Sequence, residues 1–118
     1  MKLTLKTALF SSIFLSVAIF SGCSSDSSGR VTHTQFCKNK YDKAEELFKK
    51  EKYGRVIDKA EEIMSYCAGT GYLEQTSFLL AESHFNLENW IEARGEYGSF
   101  IANFPGSPFA ESAEFKKA

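Results

Sequence analysis

Three cysteines and two histidines carry most of the reactive chemistry in this 118-residue chain. Cys23 stands beside serines and a glycine, Cys37 and Cys67 lie further on, and His33 precedes Cys37 by four positions. Such thiols can be acylated, oxidised to a disulfide or, joined by imidazoles, hold zinc. The zinc reading needs Cys67 to join His33 and Cys37, with the distant His84 as fourth ligand. No C-x-x-C or H-x-x-x-H spacing supports it, so no metal site is assigned. The paired carboxylates Glu45/Glu46 and Glu61/Glu62 sit among lysines, the pattern of a solvated face. Ser65 and Ser83 have no recognisable base and orienting acid. Gly69-Thr70-Gly71 lacks the Lys and the preceding strand of a phosphate loop. No catalytic residue, cofactor or small-molecule substrate is assigned, and a non-enzyme is expected.

The elements that position these residues begin with a targeting segment. Residues 1–20 read MKLTLKTALFSSIFLSVAIF, with Lys2 and Lys6 as the only charges and ten apolar residues among the thirteen from Ala8 to Phe20. A short basic region followed by such a run is a secretory signal. It falls short of the roughly 20 apolar residues of a comfortable membrane span. The run ends Phe20-Ser21-Gly22-Cys23, which resembles the bacterial lipoprotein box, with Phe20 where Leu is usual. That resemblance implies cleavage after residue 22 and acylation of Cys23; the competing reading is an ordinary secreted protein with an incidental Cys. Ser24–Gly29 is a Ser/Gly-rich tether with nothing to bury. Ser24 directly after the Cys resembles the outer-membrane sorting signal of enteric-type bacteria. The domain reading is therefore a signal peptide over 1–22, a lipidated Cys and flexible tether over 23–33, and a folded body over 34–118.

The body carries the remaining arithmetic. From Cys23 onward there are 12 basic and 15 acidic residues, a balance that excludes nucleic-acid binding through bulk positive charge. Residues 36–70 hold eight Lys/Arg against seven Asp/Glu, and residues 71–118 hold three against seven. No Pro occurs between Cys23 and Phe104, and no alternating β pattern is present. An all-α body is expected, with helices over 34–50, 53–66, 71–87 and 89–103. Pro105 closes the fourth, and Ser107-Pro108 supplies the cap and first turn of a fifth.

An internal repeat organises these helices. At an offset of 37, Ala44 aligns with Ala81, Glu45 with Glu82, Phe48 with Phe85, Tyr53 with Trp90 and Ile63 with Phe100. The same offset carries Glu74, Phe78 and Ala81 onto Glu111, Phe115 and Ala118. Each unit is an αα-hairpin that buries its apolar face only by stacking. Units are expected over 34–68 and 71–105, with the first helix of a third over 107–118. The fourth helix, with Trp90, Tyr97 and Phe100, is expected to be poorly covered and to open locally.

The hairpin also addresses the thiols. With the first turn centred near residue 52, positions whose numbers sum to 104 lie side by side at the open end, and Cys37 and Cys67 satisfy that sum. In an oxidising compartment a Cys37–Cys67 disulfide is expected. Two unpaired buried thiols are the alternative.

The second unit resembles the tetratricopeptide family at Leu80, Ala81, His84/Phe85, Ala93, Tyr97 and Pro105. In the first unit Val56 replaces a small residue and Gly69-Thr70-Gly71 replaces the Pro, and the period of 37 exceeds the usual family period. Combined with the lipoprotein box, the leash and Phe104-Pro105-Gly106-Ser107-Pro108-Phe109-Ala110, the chain is similar to the BamD-type lipoproteins of the outer-membrane β-barrel assembly machinery, whose members typically run to five repeats, so this sequence would correspond to the first two and a fraction. That resemblance implies a lipid-anchored, periplasm-facing scaffold at the outer membrane. Its partners would be the barrel assembly subunit, accessory lipoproteins and unfolded barrel substrates. The implied binding groove would draw on Tyr41, Glu74, Gln75, Phe78 and Glu82, although Tyr41 and Phe78 suit core packing equally well. A tetratricopeptide lipoprotein adaptor in envelope coordination, secretion or motility is the alternative.

Overall fold

The computed structural model describes residues 31–118. The signal peptide, Cys23 and the tether up to Arg30 lie outside the described residues. Among the described residues the structure is all-helical, with five helices: α1 (His33–Lys49), α2 (Tyr53–Tyr66), α3 (Tyr72–Asn86), α4 (Trp90–Asn103) and α5 (Ala110–Lys117). None of these is long and apolar enough to cross a membrane.

Local chemistry sets the helix ends. The Thr32 hydroxyl accepts from the Gln35 amide at 3.2 Å, so α1 starts at His33, inside the expected tether. α4 ends at Asn103, and Phe104, restricted by Pro105, leaves helical geometry at φ −131° and ψ 56°. The fifth helix departs from expectation. Ser107 Oγ donates to Glu74 Oε1 at 2.5 Å and accepts from the Phe109 amide at 3.2 Å. These bonds hold residues 107–109 in a turn, and the helix begins at Ala110.

The offset of 37 holds in the backbone. Glu51 and Glu88 both occupy the left-handed region, at φ 56° and 60°. At the first turn Lys52 N–H donates to Leu47 C=O (3.0 Å) and Glu51 N–H to Phe48 C=O (2.9 Å). At the second, Asn89 N–H donates to His84 C=O (3.0 Å) and Glu88 N–H to Phe85 C=O (3.1 Å). This paired pattern is a Schellman close, built twice with Glu where Gly is usual. The rings that flank each turn repeat as well: Phe48–Tyr53 and Phe85–Trp90 both meet edge-on at 5.2 Å.

Two apolar clusters hold the stack together. The first gathers Cys37, Ala44, Leu47, Val56, Ile63 and Cys67 from α1 and α2, with Leu79 reaching in from α3. The second joins Ala81, Ala93, Tyr97, Phe100 and Ala113 from α3, α4 and α5. Ala44 and Ala81, aligned by the offset of 37, are both fully buried. The expectation of a poorly covered fourth helix is corrected at two of its three aromatics. Tyr97 and Phe100 are fully buried, because Phe78, Phe85, Phe104 and Ala113 pack against them. Trp90 alone stays largely exposed.

Candidate partner-binding surface

The residues read as a groove, Tyr41, Glu74, Gln75, Phe78 and Glu82, fall on α1 and α3, and most of them are engaged within the fold. Tyr41 packs its ring on Tyr72 at 5.8 Å. Burial pushes its phenol up from the usual range, with Glu45 and Asp42 adding to the effect. Phe78 stacks on Phe109 at 4.7 Å and touches Phe100 at 5.3 Å and Tyr97 at 6.2 Å. Both aromatics therefore act as packing between successive hairpins. Glu74 accepts the Ser107 hydroxyl. Gln75 points into solvent and is the one groove candidate with a fully available side chain.

Glu82 ties three helices together. Its Oε1 accepts from the Tyr97 hydroxyl at 2.6 Å and from Lys116 Nζ at 2.5 Å, and its Oε2 accepts from Lys116 at 2.7 Å. The Lys116 ammonium also lies 5.1 Å from the centroid of the Phe85 ring. Burial, reinforced by the bond to Glu82, drives the Tyr97 phenol far above its ordinary value. One repeat earlier, the position of Lys116 is held by Leu79 of α3, which fills the first apolar cluster instead. One joint between hairpins is thus apolar and the other is charged.

On the first hairpin, Glu62 of α2 accepts from Lys40 of α1 and from Lys59 one turn back. The Lys40 bond, then the Lys59 bond, hold its carboxyl below the usual carboxylate range. Bonds from Lys50 and then Lys43 hold the exposed Glu46 down to about 2. Glu45 likewise pairs with Lys49, and at the surface each such pair is worth little for stability.

The structure joins Cys37 and Cys67 in a disulfide with the Cα atoms 5.8 Å apart and both residues fully buried. His33 Nε2 lies 3.8 Å from Cys37 Sγ, but that sulfur is spent in the bridge and offers no thiolate. Among the described residues no three His, Cys, Asp or Glu side chains converge as a metal set. His84 is half-buried on α3, and its Nδ1 has no hydrogen-bond partner there.

The surface that sequence reasoning missed lies at the far edge of the stack. A cleft of about 410 Å³ is lined by Phe85, Trp90, Ile91, Arg94, Lys116 and Lys117. Ile91 is 86% exposed and Trp90 56%. Phe115 of α5 is 84% exposed. A signal was present in the offset of 37, which places Phe115 on Phe78 and Trp90 on Tyr53.

No protein-family model, curated protein or solved structure matches the chain.

Proposed function

We propose that the protein is a non-enzymatic, lipid-anchored scaffold that faces the periplasm at the outer membrane and serves the β-barrel assembly machinery by presenting stacked helical hairpins to partner proteins. The observation that carries this reading is the pairing of two features in one chain. Cys23 follows a secretory run and the small residues Ser21-Gly22. Behind a short Ser/Gly leash stands a repeated αα-hairpin unit, whose turns and ring pairs recur at a spacing of 37. Repeat units of this kind bury their apolar faces on one another and offer extended surfaces to other proteins. Two or three acyl chains on one Cys would hold such a body stably at a bilayer, where a single chain binds marginally.

The test is capture from detergent-solubilised outer membranes with the tagged native protein. Co-purification of a large integral barrel protein, lost on Cys23→Ser, supports the reading. Recovery of peptidoglycan-linked or trans-envelope partners with no barrel protein moves the protein to the adaptor alternative. Mass spectrometry showing a free thiol at position 23 of the native protein removes the lipid anchor.

A further inference from the structure

The open end of the first hairpin carries an aromatic pair that the fold leaves uncovered. Phe36 and Tyr66 each directly precede a cysteine of the Cys37–Cys67 bridge, whose Cα atoms are 5.8 Å apart. An ion pair further in fixes how the two rings are related: Lys40 of α1 bonds Glu62 of α2. Phe36 stands four residues before Lys40, and Tyr66 four residues after Glu62. Both rings therefore lie on the flank that carries this pair, one turn nearer the open end. Lys40 Nζ also sits 5.3 Å from the centroid of the Phe36 ring. Tyr66 is 67% exposed, Phe36 41%, and Val31, just ahead of α1, 58%. Tyr72 of α3 packs on α1 at Tyr41 instead.

Resting on the lipid-anchor reading above, we propose that this flank lies on the bilayer that holds Cys23, with Tyr66, Phe36 and Val31 in the lipid interface. On that reading the mature chain ahead of Val31 is Cys23 and the stretch SSDSSGR, which has no apolar side chain to cover the rings. From Cys23 to Val31 this stretch reaches at most about 30 Å, so the anchored body stays beside the headgroups. Tyrosine suits that depth, because its ring is apolar and its hydroxyl stays wet. Charge selects the same end of the body. Residues 36–70 are nearly balanced, with eight basic against seven acidic, whereas residues 71–118 hold three against seven and are repelled by anionic headgroups.

The test uses the native protein carrying Tyr66→Trp and Trp90→Phe, purified from membranes and reconstituted into vesicles of phosphatidylethanolamine and phosphatidylglycerol. Trp90 is the one tryptophan of the chain, so these changes leave a single emitter on the flank. With lipids brominated near the headgroup end of their acyl chains, the emission is expected to shift to the blue and to be quenched. Phe36→Ser added to that chain reduces the quenching. The unsubstituted protein supplies the comparison. Its Trp90 follows α3, which begins five residues after Cys67 and runs 15 residues, about 22 Å, from the open end, so its emission is expected to stay unchanged. Tyr66 and Trp90 are both exposed, and circular dichroism checks that helicity is kept. Emission of the Tyr66→Trp chain indifferent to brominated lipid, in protein that floats with the vesicles, overturns the proposal alone. Protein that does not float overturns the anchor reading and this proposal with it. Trp90 quenched as strongly puts another face on the bilayer and overturns it. A dimer in detergent that Tyr66→Ser abolishes gives the flank to a second copy and overturns it equally.

Discussion

The Tyr97 hydroxyl donates to Glu82 Oε1 at 2.6 Å from a position with no solvent exposure. Its folded-state pKa is raised, first by burial and then by that bond. The ordinary value is 10.0, so both states keep the proton below that pH and the bond contributes in full. Above about pH 10 the unfolded chain releases this proton while the native state retains it, and stability declines by about 1.4 kcal/mol per pH unit for this one group. Denaturant titrations between pH 9 and 11 are expected to show a steeper loss for the native protein than for Tyr97→Phe. Equal slopes would mean the phenol titrates freely. Glu82→Ala leaves both Tyr97 and Lys116 without their partner and is expected to cost about 2 kcal/mol.

The Cys37–Cys67 bridge closes a separation of 30 residues. Loop entropy for that length corresponds to about 3–4 kcal/mol of stabilisation through the unfolded state. The double variant Cys37→Ala/Cys67→Ala is expected to lose roughly that amount in urea unfolding. Thiol titration of the denatured, unreduced protein should find neither cysteine free. A loss well under 1 kcal/mol would show that the helix packing alone closes the hairpin.

Glu51 and Glu88 carry the left-handed turn residues with φ of 56° and 60°. A side chain there costs about 1–2 kcal/mol, whereas Gly adopts the conformation freely. Glycine also loosens the unfolded chain by about 0.4–1 kcal/mol, which offsets part of the gain. Glu88→Gly is therefore expected to stabilise by roughly 0.5 kcal/mol, and Glu88→Val to destabilise by more than about 1 kcal/mol, since a β-branched residue fits this region worst. Melting temperatures of the two variants check the order.

Glu46 titrates at about 2, held down by Lys50 and then Lys43. Its folded pKa is depressed, so its contribution is complete above the ordinary value of 4.5 and disappears as pH falls toward 2. Carboxyl NMR shifts followed from pH 6 to 1.5 should place its midpoint well below the ordinary value of 4.5. Lys50→Met should move it upward by more than Lys43→Met.

Much of this architecture was legible because apolar spacing and turn chemistry agree along the chain. The second helix is met at both ends, and the other early boundaries shift by one residue where a cap decides them, as Thr32 does for α1. The offset of 37 was readable from Ala44/Ala81 and Phe48/Phe85, and it reappears in matched turns and ring pairs. Ser107 was harder. Its hydroxyl is drawn to Glu74, 33 residues away in sequence, and that competition delays the fifth helix. The surface site was read least well. Tyr41, Phe78 and Glu82 have residue types suited to binding, but each is claimed by a neighbouring helix, which only the three-dimensional register reveals. The burial of Tyr97 and Phe100 was missed for the same reason, because Phe78 and Phe104 close over them from other elements.

The covalent bridge also governs how the chain answers a pull. Traction arriving from the amino-terminal side enters at Cys37 and leaves at Cys67, whose Cα atoms stand 5.8 Å apart. The 30-residue span between them is bypassed, and its contour of about 100 Å never pays out. Apart from the residues ahead of Cys37, a stretched molecule lengthens only through what lies beyond Cys67, so the mechanical yield point belongs to the second hairpin and α5, and the span from Cys37 to Cys67 rides along as a closed link.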